Sequence, residues 1–347
     1  MLHCSFSPYV LDFKSPSWTS RGVLTHKEMY IVRLMDADQP DKAALGECAL
    51  FRGLSADDVP DYEKVLADLC WNINDYKDTY QEKFKRYPSI VFGLETAFAD
   101  LVNGCRMRPF PSDFTQGKGH IKINGLIWVG PKEQMVAQVR SKIDAGFGCI
   151  KLKVGAHDFE EEVEMLRAIR SEFSRSDIEL RVDANGAFKE EEALKKLEVL
   201  SKLDLHSIEQ PIKAGNWAAM AKLCKETPLP IALDEELIGV FEKEEKARLL
   251  QEIKPQYIVL KPSLHGAFCG TDEWISLAEE QQIGWWITSA LESNIGLNAI
   301  AQWTYRRGVS MPQGLGTGQL YLNNLPSFLQ LEGDRLSFDV NRKITFE

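Results

Sequence analysis

The 347-residue sequence predicts an α/β fold, a modified (β/α)8 barrel of (β/α)7β type preceded by an α+β unit. Three observations predict it: short apolar runs recur at a strand-plus-helix spacing, amphipathic segments fill the gaps, and polar residues gather at one end of the runs. The runs are "IKINGLIW", "CIKLKVG", "ELRVDAN", "SIEQPI", "PIALDEEL", "YIVLKPSL" and "GWWITSAL", with a weaker eighth, "QGLGTG", at 313. The second to the seventh begin at 149, 179, 207, 230, 257 and 284, a recurrence of roughly 23 to 30 residues that matches one strand plus one helix. An open doubly wound sheet is the competing topology, but it carries fewer strands and a phosphate-binding glycine turn that this chain does not show.

Ahead of the barrel, residues 1 to about 50 carry strand-like runs such as "MYIVRLM". "DYEKVLADLCWNINDYKDTYQEKF" and "SIVFGLETAFADLVNGC" have helical spacing of apolar residues. "RPFPSDFTQGKGH", rich in Pro, Gly and polar residues, marks the boundary. Beyond it, "PKEQMVAQVRSKIDAG" sets Met135, Val139 and Ile143 on one helical face and stops at Gly146. "DFEEEVEMLRAIRSEF" opens with Asp158 as its cap and sets Val163, Leu166 and Ile169 on one face.

Charge and composition narrow the function. A net charge of −10 argues against nucleic acid or an anionic membrane surface as the main partner and favours a small molecule. The start "MLHCSFSPYV" lacks the pattern of a secretory leader, and no apolar run is long enough to span a bilayer, so a cytoplasmic enzyme is expected. The seven cysteines are scattered without a C-x-x-C pair and read as reduced thiols. Glu47 and Arg21 fall in the smaller unit, where surface or inter-domain contacts are the default.

In such a barrel chemistry sits at the C-terminal ends of the strands. There the chain places Lys151 and Lys153, Asp183, Glu209, Asp234 and Lys261, on five consecutive strands. One strand-end Asp is ordinarily a helix cap or turn residue. Three acids and three lysines at the same end of an otherwise apolar sheet are far more specific. Asp183, Glu209 and Asp234 on neighbouring strands would repel one another unless a hard cation sat among them, and oxygen ligands without His or Cys point to Mg2+, with Mn2+ as its substitute. Lys151 and Lys153 share one face of a strand, and two close ammonium groups in a partly buried site predict a pKa lowered toward that of a general base. Lys261 faces them from the opposite wall. Together these groups fit proton abstraction from a carbon acid alpha to a metal-held carboxylate.

The K-x-K of Lys151 and Lys153, the V-D-A-N of Val182 to Asn185, the E-Q-P of Glu209 to Pro211, the D-E of Asp234 and Glu235, and Lys261 resemble the muconate-lactonizing subgroup of the enolase superfamily. The resemblance implies an α+β capping domain over residues 1–115 with a lid loop near 15–22, a barrel over 116–320, and a segment 321–347 that returns to the cap. It implies Asp183, Glu209 and Asp234 as metal ligands, Lys153 as acid and base, Lys261 as the opposing lysine, and Lys151, Asn185 and Glu235 as supporting groups. The seventh run lacks the His base of the mandelate-racemase-like members, and the eighth lacks the D-x-D of dipeptide epimerases. "INGLIWVG", "HSIEQPI" and "GLGTGQLY" are similar to the o-succinylbenzoate synthase family of the Bacteroidetes type. That family implies syn-dehydration of 2-succinyl-6-hydroxy-2,4-cyclohexadiene-1-carboxylate in menaquinone biosynthesis. The family does not fix its specificity residues, and Ser289, Gly316, Thr317 and Arg21 are the candidate substrate contacts taken from this sequence. The alternatives are racemisation of N-succinylamino acids or the reaction of another muconate-type carbon-acid lyase or epimerase and, remotely, a non-catalytic binding barrel. Oligomeric state is left open.

Overall fold

A computed structural model describes residues 1–19, 22–127, 130 and 132–344. Two long strands open the chain, Leu2–Thr19 (β1) and Gly22–Asp36 (β2), paired antiparallel, and Ala44–Cys48 (β3) adds to the second. Period-2 alternation puts Leu11, Phe13 and Met29 in one cluster with Tyr321 and turns Tyr30, Val32 and Leu34, on the other face of β2, into the main core. Helices Tyr62–Trp71 (α1), Ile73–Tyr76 (α2), Tyr80–Lys83 (α3) and Pro88–Val102 (α4) complete this unit. Pro88 starts α4 where its missing N–H costs nothing, and the helix buries Ile90, Phe92, Leu94 and Ala97. Gly46 of β3 lets α4 approach closely, since a Cβ there would sit 1.8 Å from the Gly93 carbonyl oxygen. Ser17–Thr19 pair with Leu24–Gly22 at the end of β1, so the expected lid loop is in part the end of a hairpin; strand pairing there satisfies backbone groups that a loop would leave to water. The candidate Arg21 lies outside the described residues.

After the short strand His120–Lys122 (β4), seven parallel strands follow: Gly125–Ile127 (β5), Cys149–Lys153 (β6), Glu179–Asp183 (β7), Ser207–Glu209 (β8), Ile231–Leu233 (β9), Tyr257–Leu260 (β10) and Gly284–Ile287 (β11), neighbours in that order. Between and after them come Lys132–Asp144 (α5), Phe159–Glu172 (α6), Glu190–Leu200 (α7), Trp217–Glu226 (α8), Lys243–Ile253 (α9), Ala267–Glu280 (α10) and Asn294–Arg306 (α11). The weak eighth run closes the ring through single bridges, Gln313 to Ile123 and Gly314 to Thr288, both parallel. The architecture is the modified barrel with an N-terminal cap. Asp158 caps α6, accepting from the Glu160 and Glu161 N–H groups at 3.0 and 3.4 Å. Among the described residues no helix is long and apolar enough to cross a membrane.

The chain's last part divides between the two units. Tyr321 bridges to Phe13 of the hairpin, whereas Leu329–Glu332 (β12) and Arg335–Phe338 (β13) pair with each other and β13 with β4.

Glu47 ties the cap to the barrel. Fully buried at the end of β3, it accepts from Ser293 N (2.9 Å), from the Ser293 hydroxyl (2.5 Å) and from Gly296 N (2.9 Å) at the start of α11. Lys27, also buried, donates to the Leu291 carbonyl at 3.1 Å and balances the Glu47 charge. Glu47→Ala leaves two N–H groups and the Ser293 hydroxyl without their acceptor and removes one of the two acids that balance Lys27, and should lower the unfolding free energy by about 3 kcal/mol in urea denaturation.

Candidate active site

Register brings the predicted groups together. Lys153, Asp183 and Glu209 are direct partners across β6, β7 and β8. Glu209 pairs with Ala232, so Asp234, two residues later, emerges on the same face one step up. Asp183, Glu209 and Asp234 are at most 2% exposed. Lys151 bridges the first two, at 2.9 Å from Asp183 Oδ2 and 2.7 Å from Glu209 Oε2. Lys153 lies 2.6 Å from Asp183 Oδ2 and also donates to Asn185 Oδ1, while Lys261 donates to Asp234 Oδ2. Asn185, held in the left-handed region at φ 43°, donates its amide to Glu235 Oε1 at 3.0 Å, which fixes the amide's orientation toward Lys153.

The lysines correct one expectation. Burial works against the charge of Lys151, but Asp183 and Glu209 outweigh it and raise its pKa, and Lys261 is raised in the same way by Asp234. Proximity of two ammonium groups does not lower Lys151, because carboxylates lie between and beside them. Burial would raise the Asp183 carboxyl, but Lys151 and Lys153 hold it well below the usual range; for Asp234 burial acts the same way and Lys261 outweighs it, so its pKa is lowered. Glu209 is the weak acid of the three, pushed up to about 8 by burial and by Asp183 and Asp234.

The donor set suits a hard cation. Among the described residues no three acidic, His or Cys side chains already close on one ion-sized point, since lysines occupy an oxygen of each acid. Yet Glu209 Oε1 and Asp234 Oδ1 are buried on adjacent strands without a hydrogen-bond partner. Buried carboxylate oxygens are costly to leave unmatched, and oxygen-only ligands are what Mg2+ takes.

Gln210 is a group that sequence reasoning missed. Its Oε1 accepts from the N–H of Asp234 at 3.1 Å and its Nε2 donates to Glu236 Oε2 at 3.0 Å, so it pins the turn that presents Asp234 beside Glu209. The E-Q-P motif carried the signal, as a second polar residue directly after a buried acid. Glu236 is thereby turned away from the cluster. His265 accepts from the Lys261 N–H, and burial lowers its pKa to about 3, so it serves the turn as a neutral imidazole.

A cavity of about 380 Å³ opens onto Lys151, Lys153, Asp183, Asn185, Glu209 and Lys261. Phe51 and Leu54 of the cap line it, as do Ser289, Gly316 and Thr317. The hydroxyls on that wall are already committed. Thr317 donates to Ser289 Oγ at 2.8 Å, and Ser289 donates to the fully buried Glu292 at 2.5 Å. Glu292, also missed from sequence, accepts from Ser263 as well.

Comparison with known proteins places this geometry. The family described as Enolase C-terminal domain-like matches residues 134–315, just over half of the chain. The o-succinylbenzoate synthase of Desulfotalea psychrophila is 46% identical over 94% of this chain and 96% of its own length. The crystal structure of MenC from Desulfotalea psychrophila LSv54 superposes with a TM-score of 0.84 at 43% identity, covering 97% of this chain and 99% of that one. A dipeptide epimerase from Cytophaga hutchinsonii, solved with Mg and the dipeptide D-Ala-L-Val, shares the fold at a TM-score of 0.79 and 22% identity, over 97% and 92% of the two chains. The chain belongs to the enolase superfamily and, within it, to the family of the Desulfotalea psychrophila o-succinylbenzoate synthase.

Proposed function

We propose that the protein is an o-succinylbenzoate synthase, a hydro-lyase that converts 2-succinyl-6-hydroxy-2,4-cyclohexadiene-1-carboxylate to o-succinylbenzoate by syn elimination of water. The observation that carries the reading is the placement of Lys153 and Lys261 on opposite walls of one cavity, with three carboxylates between them. Similarity to the Desulfotalea psychrophila o-succinylbenzoate synthase, 46% identity in sequence over 94% of this chain, supports the substrate.

Asp183, Glu209 and Asp234 would hold Mg2+, which supplies Lewis-acid stabilisation of the negative charge that develops on the substrate carboxylate. Lys153 as the free amine takes the proton alpha to that carboxylate. Asn185, anchored by Glu235, keeps the lysine aimed at the ring face. The same ammonium then gives its proton to the departing hydroxyl, so one base serves both halves of a same-face elimination and the proton leaves in the water formed. Lys261 stays an ammonium on the far side, because Asp234 holds its charge, and it stabilises the enediolate electrostatically. Aromatisation of the ring drives the second half.

The test is spectrophotometric: purified protein with Mg2+, with Mn2+, and after chelation. Metal-dependent formation of o-succinylbenzoate is expected, and chelation should abolish it; no turnover by folded, metal-loaded protein sinks the assignment. A second reading rests on the two lysines facing each other, which can exchange protons on both faces of a carbon acid. It expects slow racemisation of N-succinylamino acids, visible as loss of optical rotation with deuterium uptake from D2O.

A further inference from the structure

Cysteines scattered along the sequence meet once in the fold. Cys4, near the start of β1, donates its S–H to the sulfur of Cys70, near the end of α1, at 3.3 Å across a separation of 66 residues. Among the described residues no other two cysteine sulfurs are in hydrogen-bond contact.

The docking of β1 on the helices sets this contact. Asn74 of α2 clasps the backbone of Leu2: its Oδ1 accepts from the Leu2 N–H and its Nδ2 donates to the Leu2 carbonyl, both at 2.9 Å. Residues 70 and 74 are about one helical turn apart, a rise of about 6 Å, and two residues of a strand advance about 6.8 Å. A strand held by Leu2 at Asn74 therefore brings Cys4 alongside Cys70. Leu2, Cys4 and Phe6 share the face of β1 that packs on the main core, as the strand's period of two requires.

The two thiols differ in access. Cys4 is partly exposed on the outer strand of its three-stranded sheet, whereas Cys70 is 6% exposed. The bond to Cys70 and burial push the Cys4 thiol up, so its thiolate is scarce near neutral pH and attack on an outside reagent is slow. The next step is not slow. A sulfur bound to Cys4 already has the Cys70 thiol beside it, and a disulfide at about 2.05 Å lies only about 1.3 Å of sulfur movement away, within reach of rotation about the two Cα–Cβ bonds.

We infer that Cys4 and Cys70 form a thiol–disulfide exchange site that takes a small-molecule disulfide as its oxidant and closes to an intramolecular disulfide with β1 still docked on α1. Neither residue lines the catalytic cavity, so this site is separate from the dehydratase chemistry. The Cys4 thiolate attacks one sulfur of the reagent, the reagent's S–S bond breaks, and one small thiol leaves with the proton that Cys4 lost. Cys70 then gives up its proton, attacks the Cys4 sulfur and expels the second small thiol. Two protein thiols are oxidised and one reagent disulfide is reduced to two thiols. The new bond fastens the start of the strand whose far end pairs with Gly22–Leu24 in the hairpin.

The experiment uses the full-length protein, reduced, desalted and kept folded in excess bis(2-hydroxyethyl) disulfide at pH 8, as wild type, C4S, C70S and C48S. Free thiols are then alkylated and the tryptic peptides mapped without reduction. Wild type should lose two hydrogens in intact mass and link peptide Met1–Lys14 to peptide Val65–Lys77. C48S should give the same link, which sets aside the buried thiol at the end of β3. C70S should stop at the mixed disulfide on Cys4, and C4S should take no adduct at Cys70. The oxidised wild type should melt about 5 °C above the reduced protein, and dithiothreitol should reverse the gain. Folded wild type that yields no such link, or links Cys48 in its place, overturns the inference without recourse to any variant. An oxidised protein that melts below the reduced one would mean that the bond forms only by pulling β1 off α1, and overturns it as well.

Discussion

Lys153→Ala should lower kcat for the dehydration by about 10⁴-fold, the upper end of what one positioned acid or base contributes, because Lys153 serves both proton transfers. Mg2+ affinity and melting temperature should change little, since Asp183 keeps Lys151 at 2.9 Å and still has a cation beside it. Lys153→Arg separates charge from basicity. Arginine preserves the cation and a hydrogen bond to Asp183, yet it does not deprotonate in proteins, so it should be as inactive as the alanine variant. Lys261→Ala should cost less, about 10²- to 10³-fold, because it removes electrostatic stabilisation and no proton transfer. Initial rates of o-succinylbenzoate formation across the three variants check the order. A Lys153→Arg enzyme within tenfold of wild type would remove Lys153 from the role of base.

The cluster was legible because a strand's period is two and parallel neighbours stay in register. Once "KLK", "RVD" and "IEQ" are aligned by their apolar runs, Lys153, Asp183 and Glu209 must meet. Asp234 followed because its strand ends one pair later. The protonation state of Lys151 was not legible, since its sign depends on whether a lysine's nearest neighbour across the sheet is another lysine or an acid. The weak eighth run was recognisable only as glycines, for it contributes two isolated bridges and no regular ladder. Glu47 shows the same limit. Nothing in "LGECA" announces three hydrogen bonds to a helix start 246 residues away.

Glu209→Gln should move metal binding and metal-free stability in opposite directions. The side chain keeps its shape, and its oxygen can still accept from Lys151, but one of three crowded negative charges is gone. Mg2+ affinity should fall by more than 100-fold, exceeding the loss seen when groups that only support a metal ligand are removed. At a Mg2+ concentration 100 times the wild-type dissociation constant, the ion stabilises wild type by about 2.7 kcal/mol, and the variant should lose nearly all of that. The metal-free proteins should behave otherwise. Burial and the charges of Asp183 and Asp234 push Glu209 up to about 8, well above its value in an unfolded chain. The folded protein therefore holds a proton that the unfolded chain releases, and wild-type stability without metal declines as pH rises from about 4.5 toward 8. Glutamine does not titrate, so the variant escapes that decline and should melt at or above the wild-type temperature at pH 8 when both are free of metal. Melting curves with and without Mg2+ at pH 6 and pH 8 decide the matter. A variant that is less stable than wild type in the metal-free state at pH 8 would mean that Glu209 is held chiefly by its bond to Lys151, and that repulsion among the three acids is not what a cation relieves.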